Sequence, residues 1–214
     1  MFALNATYGN VVYFGIPLVT AAFETTSVPI ILAIIAVHSA VLLPGTAVLI
    51  EIGSESSVVG LKNAQRIVMQ LLQNPIVMSI MAGLAWRFTN LELPLPLLNT
   101  FTLLGGAAAP LALFCLGVSL PNAEIPLLSS VEVVVGVVIK LTLLPILIGV
   151  ACWHLGVEGA AWKVAVLTAA VPTGANANLM ARNRSVLTDI SAGIVVLATG
   201  VSALTIGTLL YWLR

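Results

Sequence analysis

Asn5-Ala-Thr-Tyr-Gly-Asn-Val-Val-Tyr-Phe-Gly-Ile-Pro17 and Pro172-Thr-Gly-Ala-Asn-Ala-Asn178 are the two stretches on which the reading of this chain turns. Each places proline, glycine and carboxamides inside a segment otherwise apolar enough to span a bilayer. Proline removes an amide donor and breaks the helical ladder. In hydrocarbon the freed backbone groups are costly unless protein or a water-filled cavity receives them. A pair of such interruptions is the best sequence pointer to the binding site of a transporter.

The rest of the composition supports a membrane setting. The chain has 214 residues, of which 60% are hydrophobic and 7% charged, where a soluble domain carries about 25% charged residues. Mean hydropathy is +1.13. Such a chain cannot cover a water-facing surface and reads as a multi-pass integral protein of the cell membrane. The formal net charge is zero, which argues against nucleic acid as a partner. Cys115 and Cys152 lie inside apolar spans and read as reduced packing residues, with no disulfide framework or metal site suggested. No cofactor is expected. The first apolar run has no basic segment before it and does not read as a cleaved signal peptide.

Charged residues and turn formers divide the chain into spans near 3–23, 28–50, 67–86, 97–120, 131–153, 160–181 and 189–213. Most reach the about 20 residues a membrane helix needs. The first and sixth are interrupted. The runs are long and uniformly apolar, without the dyad alternation of a barrel, so the fold is all-α. The run Gly105-Gly-Ala-Ala-Ala-Pro110 offers small residues for close helix packing. Four uninterrupted spans separate the two broken ones, and a step of five helices reverses direction. The broken helices therefore run oppositely, which is the arithmetic of inverted five-helix repeats with crossing broken helices.

On this count residues 67–214 make a complete second repeat, 51–66 a polar inter-repeat loop, and 1–50 the last two helices of a first repeat. The expectation is an N-terminally incomplete protein of about seven transmembrane helices, three helices short of ten. The alternative is a seven-helix protein whose partner chain supplies the rest. Lys62, Arg66, Arg182 and Arg184 gather on one side, and Arg87, Lys163 and Arg214 on the other. This slight excess favours a cytoplasmic 51–66 loop.

Asn10, Gly15 and Pro17 occupy the first break; Pro172, Thr173, Gly174, Asn176 and Asn178 occupy the second. Pro17 lets the helix unwind, Gly15 allows close approach of a ligand or backbone, and Asn10 offers donors and an acceptor. Half-helix N-termini meeting near the midplane suit an anion, and the carboxamides add neutral donors. Such a site favours a small carboxylate. Lys140, near the middle of its span, reads either as charge compensation for an anionic substrate or as a cation that snorkels. His38 reads as a proton shuttle or as an interhelical hydrogen-bonding group. No acidic residue lies deep in a span, so carboxylate-based ion coupling has no obvious seat here. There is no H-E-x-x-H pair, phosphate loop or Ser/His/Asp set, and no enzyme is expected.

At these breaks the chain resembles the auxin efflux carrier family, which includes plant PIN-type carriers and malonate-permease-like proteins. The family pattern N-x-G-[FY]-x-G-x-P reads here Asn10-Val-Val-Tyr-Phe-Gly15-Ile-Pro17, and P-[TS]-[AG]-x-N-[AV] reads Pro172-Thr-Gly-Ala-Asn176-Ala. Asn74-Pro75 and Ala109-Pro-Leu-Ala-Leu-Phe-Cys-Leu-Gly117-Val-Ser-Leu120 are also similar to the family. Val12 stands where a glycine is usual, and Asn178 where a bulky apolar residue is common. The resemblance covers helices four to ten of ten. It implies two inverted repeats whose fourth and ninth helices cross at their prolines. It also implies a scaffold part that often forms a homodimer, and a transport part that moves in an elevator-like way. Implied substrates are auxin-like acids or dicarboxylates such as malonate. Asn10 and Asn176 would contact the carboxylate or hold the crossover, and Pro17 and Pro172 would set the crossing. The expected function is a secondary permease for small organic anions. Its rivals are a seven-helix ligand-binding receptor and a non-functional transporter fragment.

Overall fold

The computed structural model describes residues 1–23, 25–52, 69, 75–119 and 128–213, and among these the chain is helical with no strand. The polar loop expected at 51–66 lies almost wholly outside the described residues, as do Asn74 and residues 120–127. The helices are α1 (Phe2–Thr7), α2 (Ile16–Ala22), α3 (Val28–Ile52), α4 (Pro75–Phe88) and α5 (Leu95–Ser119). They continue as α6 (Val131–Val138), α7 (Leu144–His154), α8 (Gly159–Ala169), α9 (Ala175–Arg184) and α10 (Thr188–Leu213). Two segments, Val131–His154 and Thr188–Leu213, are continuous, 24 and 26 residues long, and apolar enough to cross a membrane. The spans expected at 3–23 and 160–181 are each two helices separated by non-helical backbone.

Both interrupted regions belong to one compact unit, residues 1–31 with 109–214. Its core joins α6 and the turn after it to α10. Val133, Val137 and Leu141, spaced four apart and so stacked on one helix face, meet Ile194 and Ala198, with Phe2 of α1 packed alongside. In lipid such contacts are driven by van der Waals packing, which rewards close backbones. Gly136 supplies the closeness: a Cβ there would stand 2.6 Å from Cδ1 of Ile194.

The segment 131–153, expected as an uninterrupted span, contains a π-helical turn at Ile139–Leu143. A second π turn, Val11–Gly15, precedes α2. Each is followed closely by a proline, Pro145 and Pro17, in the first turn of the next helix. Proline has no N–H to donate and its ring crowds the carbonyl four residues back. The wider turn accommodates both effects. Ile16 N donates to Val11 O and Leu144 N to Ile139 O, each five residues back. Pro17 therefore does not unwind its helix as the sequence suggested. The helix widens ahead of Pro17 and opens earlier, at Tyr8–Asn10.

The second unit, residues 32–108, holds most of α3, all of α4 and the first part of α5. Trp86 Nε1 donates to Leu91 O at 3.0 Å and closes the α4–α5 turn. Met78, Met81, Leu84, Phe101 and Leu103 are exposed, an apolar surface suited to lipid. Cys115 and Cys152 are both free, the first exposed and the second half-buried.

Candidate functional site

The two breaks meet. Tyr8 leaves α1 in an extended conformation, and Gly9 forms an isolated antiparallel bridge with Thr173. Asn10 N donates to Pro172 O at 2.8 Å, and Gly174 N donates to Tyr8 O at 3.0 Å. The crossing thus runs through Gly9 and Thr173, with Pro172 inside it and Pro17 beyond it, past the π turn.

Glycine is required on both sides of the bridge because the two backbones come close. A Cβ on Gly174 would lie 2.9 Å from Cδ1 and Cε1 of Tyr8 and 3.2 Å from Gly9 O. One on Gly9 would lie 2.9 Å from Cγ2 of Val171. Gly15, at the end of the π turn, faces Ile31 and Val171 at ordinary or slightly tight contact distances.

A helix that stops leaves its last carbonyls without intrahelical donors. At the end of α1, Leu4 O is taken by Tyr8 N at 2.7 Å, and Asn5 O by Thr173 Oγ1 at 2.8 Å. Asn5 Oδ1 in turn accepts from Ser191 Oγ of α10 at 2.7 Å. Asn5, Thr173 and Ser191 are all fully buried. At the end of α8, Ala169 O accepts from Lys140 Nζ at 2.6 Å. Each half-helix C-terminus is therefore capped by a side chain from a distant segment.

Two buried carboxamides are left over. Asn10 Nδ2 and Asn178 Oδ1 have no hydrogen-bond partner, although both residues are more than nine-tenths buried. Asn176, by contrast, is exposed and reaches Tyr8 OH at 3.4 Å. Thr168 Oγ1 on α8 is also buried without a partner. A buried polar group without a partner costs free energy, and such groups mark places where a ligand can bind.

Of the residues singled out from sequence, the structure gathers Asn10, Pro172, Thr173, Gly174 and Asn176 around the crossing, with Lys140 against it. Gly15 packs near Val171 at its edge. His38 lies on α3 in the second unit, half-buried. Sequence reasoning missed Asn5, Tyr8, Gly9 and Ser191.

The model of a family described as "Membrane transport protein" matches residues 1–211. A protein of Rhizobium meliloti (strain 1021) described as "Putative malonate transporter" is 32% identical over 222 residues, covering 100% of this chain and 67% of that protein.

Proposed function

The chain belongs to the membrane transport protein family of auxin-efflux and malonate-permease-like carriers, and we propose that it is a secondary permease for small organic anions. The ligand seat is the crossing of the two breaks. The observation that carries this reading is the antiparallel junction at Gly9 and Thr173, with the unbonded, buried Nδ2 of Asn10 next to Gly9 in the chain and the unbonded Oδ1 of Asn178 in the first turn of α9. The π turn at Val11 and helix α9 both begin at this junction. Their N-terminal N–H groups and positive dipole ends favour a carboxylate.

The antiparallel sense of the bridge supports two inverted repeats, with the boundaries at 1–50, 51–66 and 67–214. That both breaks lie in one compact unit supports an elevator-like cycle, in which this unit carries the anion past a second part that can pair as a homodimer. Dicarboxylates of the malonate class, the substrate named for the relative, and auxin-like monocarboxylates are the first candidates.

The test is uptake of radiolabelled malonate and a monocarboxylate into proteoliposomes containing the chain. Saturable uptake is expected, with Asn10→Ala and Asn176→Ala lowering affinity. Unchanged uptake and affinity in both variants refute the site. Saturable binding without flux would make the protein a receptor.

A further inference from the structure

Away from the crossing, the unit of residues 1–31 and 109–214 carries a cleft of about 630 Å³ between α7, α8 and α10. Small-molecule sites measure about 300–1,000 Å³. Pro145, Gly149 and Trp153 line it from one face of α7, and Thr205, Thr208 and Trp212 from one face of α10. Trp162 and Val166 of α8 complete the lining. The polar groups here are largely spent inside the protein. Thr205 Oγ1 donates to Ser202 O at 3.3 Å, Thr208 Oγ1 to Thr205 O at 2.9 Å and Trp162 Nε1 to Gly149 O at 3.2 Å. An occupant is therefore apolar over the length that it buries.

The two ends of the cleft differ. Trp153 and Trp212 lie in the last turns of α7 and α10, and Trp162 in the first turn of α8. Three indoles thus gather at one end, where Trp153 and Trp212 are 73% and 85% exposed. Tryptophan at the ends of membrane helices marks the headgroup level. The other end stops at Leu141 and Ala170, both buried, near the middle of the span Val131–His154. Leu141 to Trp153 covers about 18 Å of helix, close to one leaflet of a hydrocarbon core about 30 Å thick. The cleft thus has the length of one acyl chain.

Positive charge collects at the mouth. Lys163 is half-buried, about 60° around α8 from the middle of the lining face. Among the described residues it makes no ion pair. The ring of His154 stands 4.8 Å from that of Trp153, and Arg214 follows shortly after Trp212 in the sequence. Glu158, exposed before α8, is the carboxylate of this end; Glu132 and Asp189 sit in the first turns of α6 and α10.

We propose that this cleft is a lipid site: it holds one acyl chain of an anionic phospholipid, with the phosphate at Lys163 beside the tryptophans. The proposal does not depend on the nature of the transported substrate.

The purified protein in detergent is titrated with phosphatidylglycerol or phosphatidylcholine of the same acyl chains and followed by native mass spectrometry. One phosphatidylglycerol per protein should be retained, about fivefold more tightly than phosphatidylcholine. Lys163→Gln should erase that preference and leave phosphatidylcholine binding unchanged. Val150→Phe, which fills the cleft from α7, should weaken both lipids about tenfold or more. A phosphatidylglycerol with a photoreactive group at the end of one acyl chain, irradiated with the unaltered protein in vesicles, should label residues 141–150, 162–170 and 205–209. Equal affinity of the wild type for the two lipids refutes the inference, as does undiminished binding to Val150→Phe. So does labelling that spares the cleft, or a second copy of the protein bound there instead of lipid. The labelling uses the unaltered protein and decides the matter even if a variant fails to fold.

Discussion

Thr173→Val isolates one hydrogen bond at the centre of the crossing. The substitution keeps the branched shape and removes the hydroxyl that donates to Asn5 O at 2.8 Å. Donor and acceptor are both fully buried. Asn5 O lies in the last turn of α1, where helix geometry supplies no replacement donor, and the residue is shut off from the surface. Leaving a buried acceptor unsatisfied costs about 1–3 kcal/mol. At about 2–4 °C per kcal/mol for a chain of this size, the melting temperature in detergent should fall by roughly 2–12 °C. Thr102→Val is the control. Its hydroxyl donates to Leu98 O within its own helix at 2.8 Å and is exposed, so its loss should change little. Flux through Thr173→Val should fall as the crossing loosens. A Thr173→Val protein that melts within about 1 °C of wild type, with Thr102→Val behaving the same, would refute the capping role of Thr173.

Gly174→Ala sets a methyl 2.9 Å from the Tyr8 ring with Gly9 O at 3.2 Å behind it. Overpacking of this kind costs about 1–3 kcal/mol, to be read as a lower melting temperature with reduced flux. Gly136→Ala meets Cδ1 of Ile194 at 2.6 Å; it should destabilise, and adding Ile194→Val, which deletes that atom, should recover part of the loss in a double-mutant cycle. Asn176→Ala gives up only a 3.4 Å bond from an exposed side chain. Melting should therefore barely move, while anion affinity measured by uptake competition falls about fivefold or more.

The breaks were legible because proline and carboxamides stand out in apolar sequence. Their exact seating was not, for reasons visible in individual residues. Pro17 drew attention to itself, but proline acts on the turn before it, and the helix absorbs Pro17 and Pro145 by widening to five-residue bonds. No periodicity of apolar residues signals that in a segment apolar on every face. Ser191 was hidden among hydroxyls that mostly bond back to their own helix, as Thr199 does to Val195 O at 2.7 Å and Thr20 does to Ile16 O at 2.9 Å. Lys140 was conspicuous as a charge deep in a span, yet its partner was not, because Ala169 contributes only a carbonyl. Gly9 was passed over beside Gly15, although the bridge and the ammonium both press on Gly9.

The donors and acceptors at the crossing bear on the charge of the proposed ligand. Asn5 O, Tyr8 O, Pro172 O and Ala169 O, the carbonyls that broken helices free, are already taken by Thr173, Gly174, Asn10 and Lys140. A site built for a metal cation keeps such carbonyls open for coordination. What remains here is the amide of Asn10, the N–H groups at the starts of the π turn and α9, and the unspent donors of Lys140. The carboxamide of Asn178 can turn either its oxygen or its nitrogen to a ligand. The balance leans toward donors, the Lys140 amine among them. That balance fits the proposed small organic anion, whose carboxylate brings several acceptor oxygens.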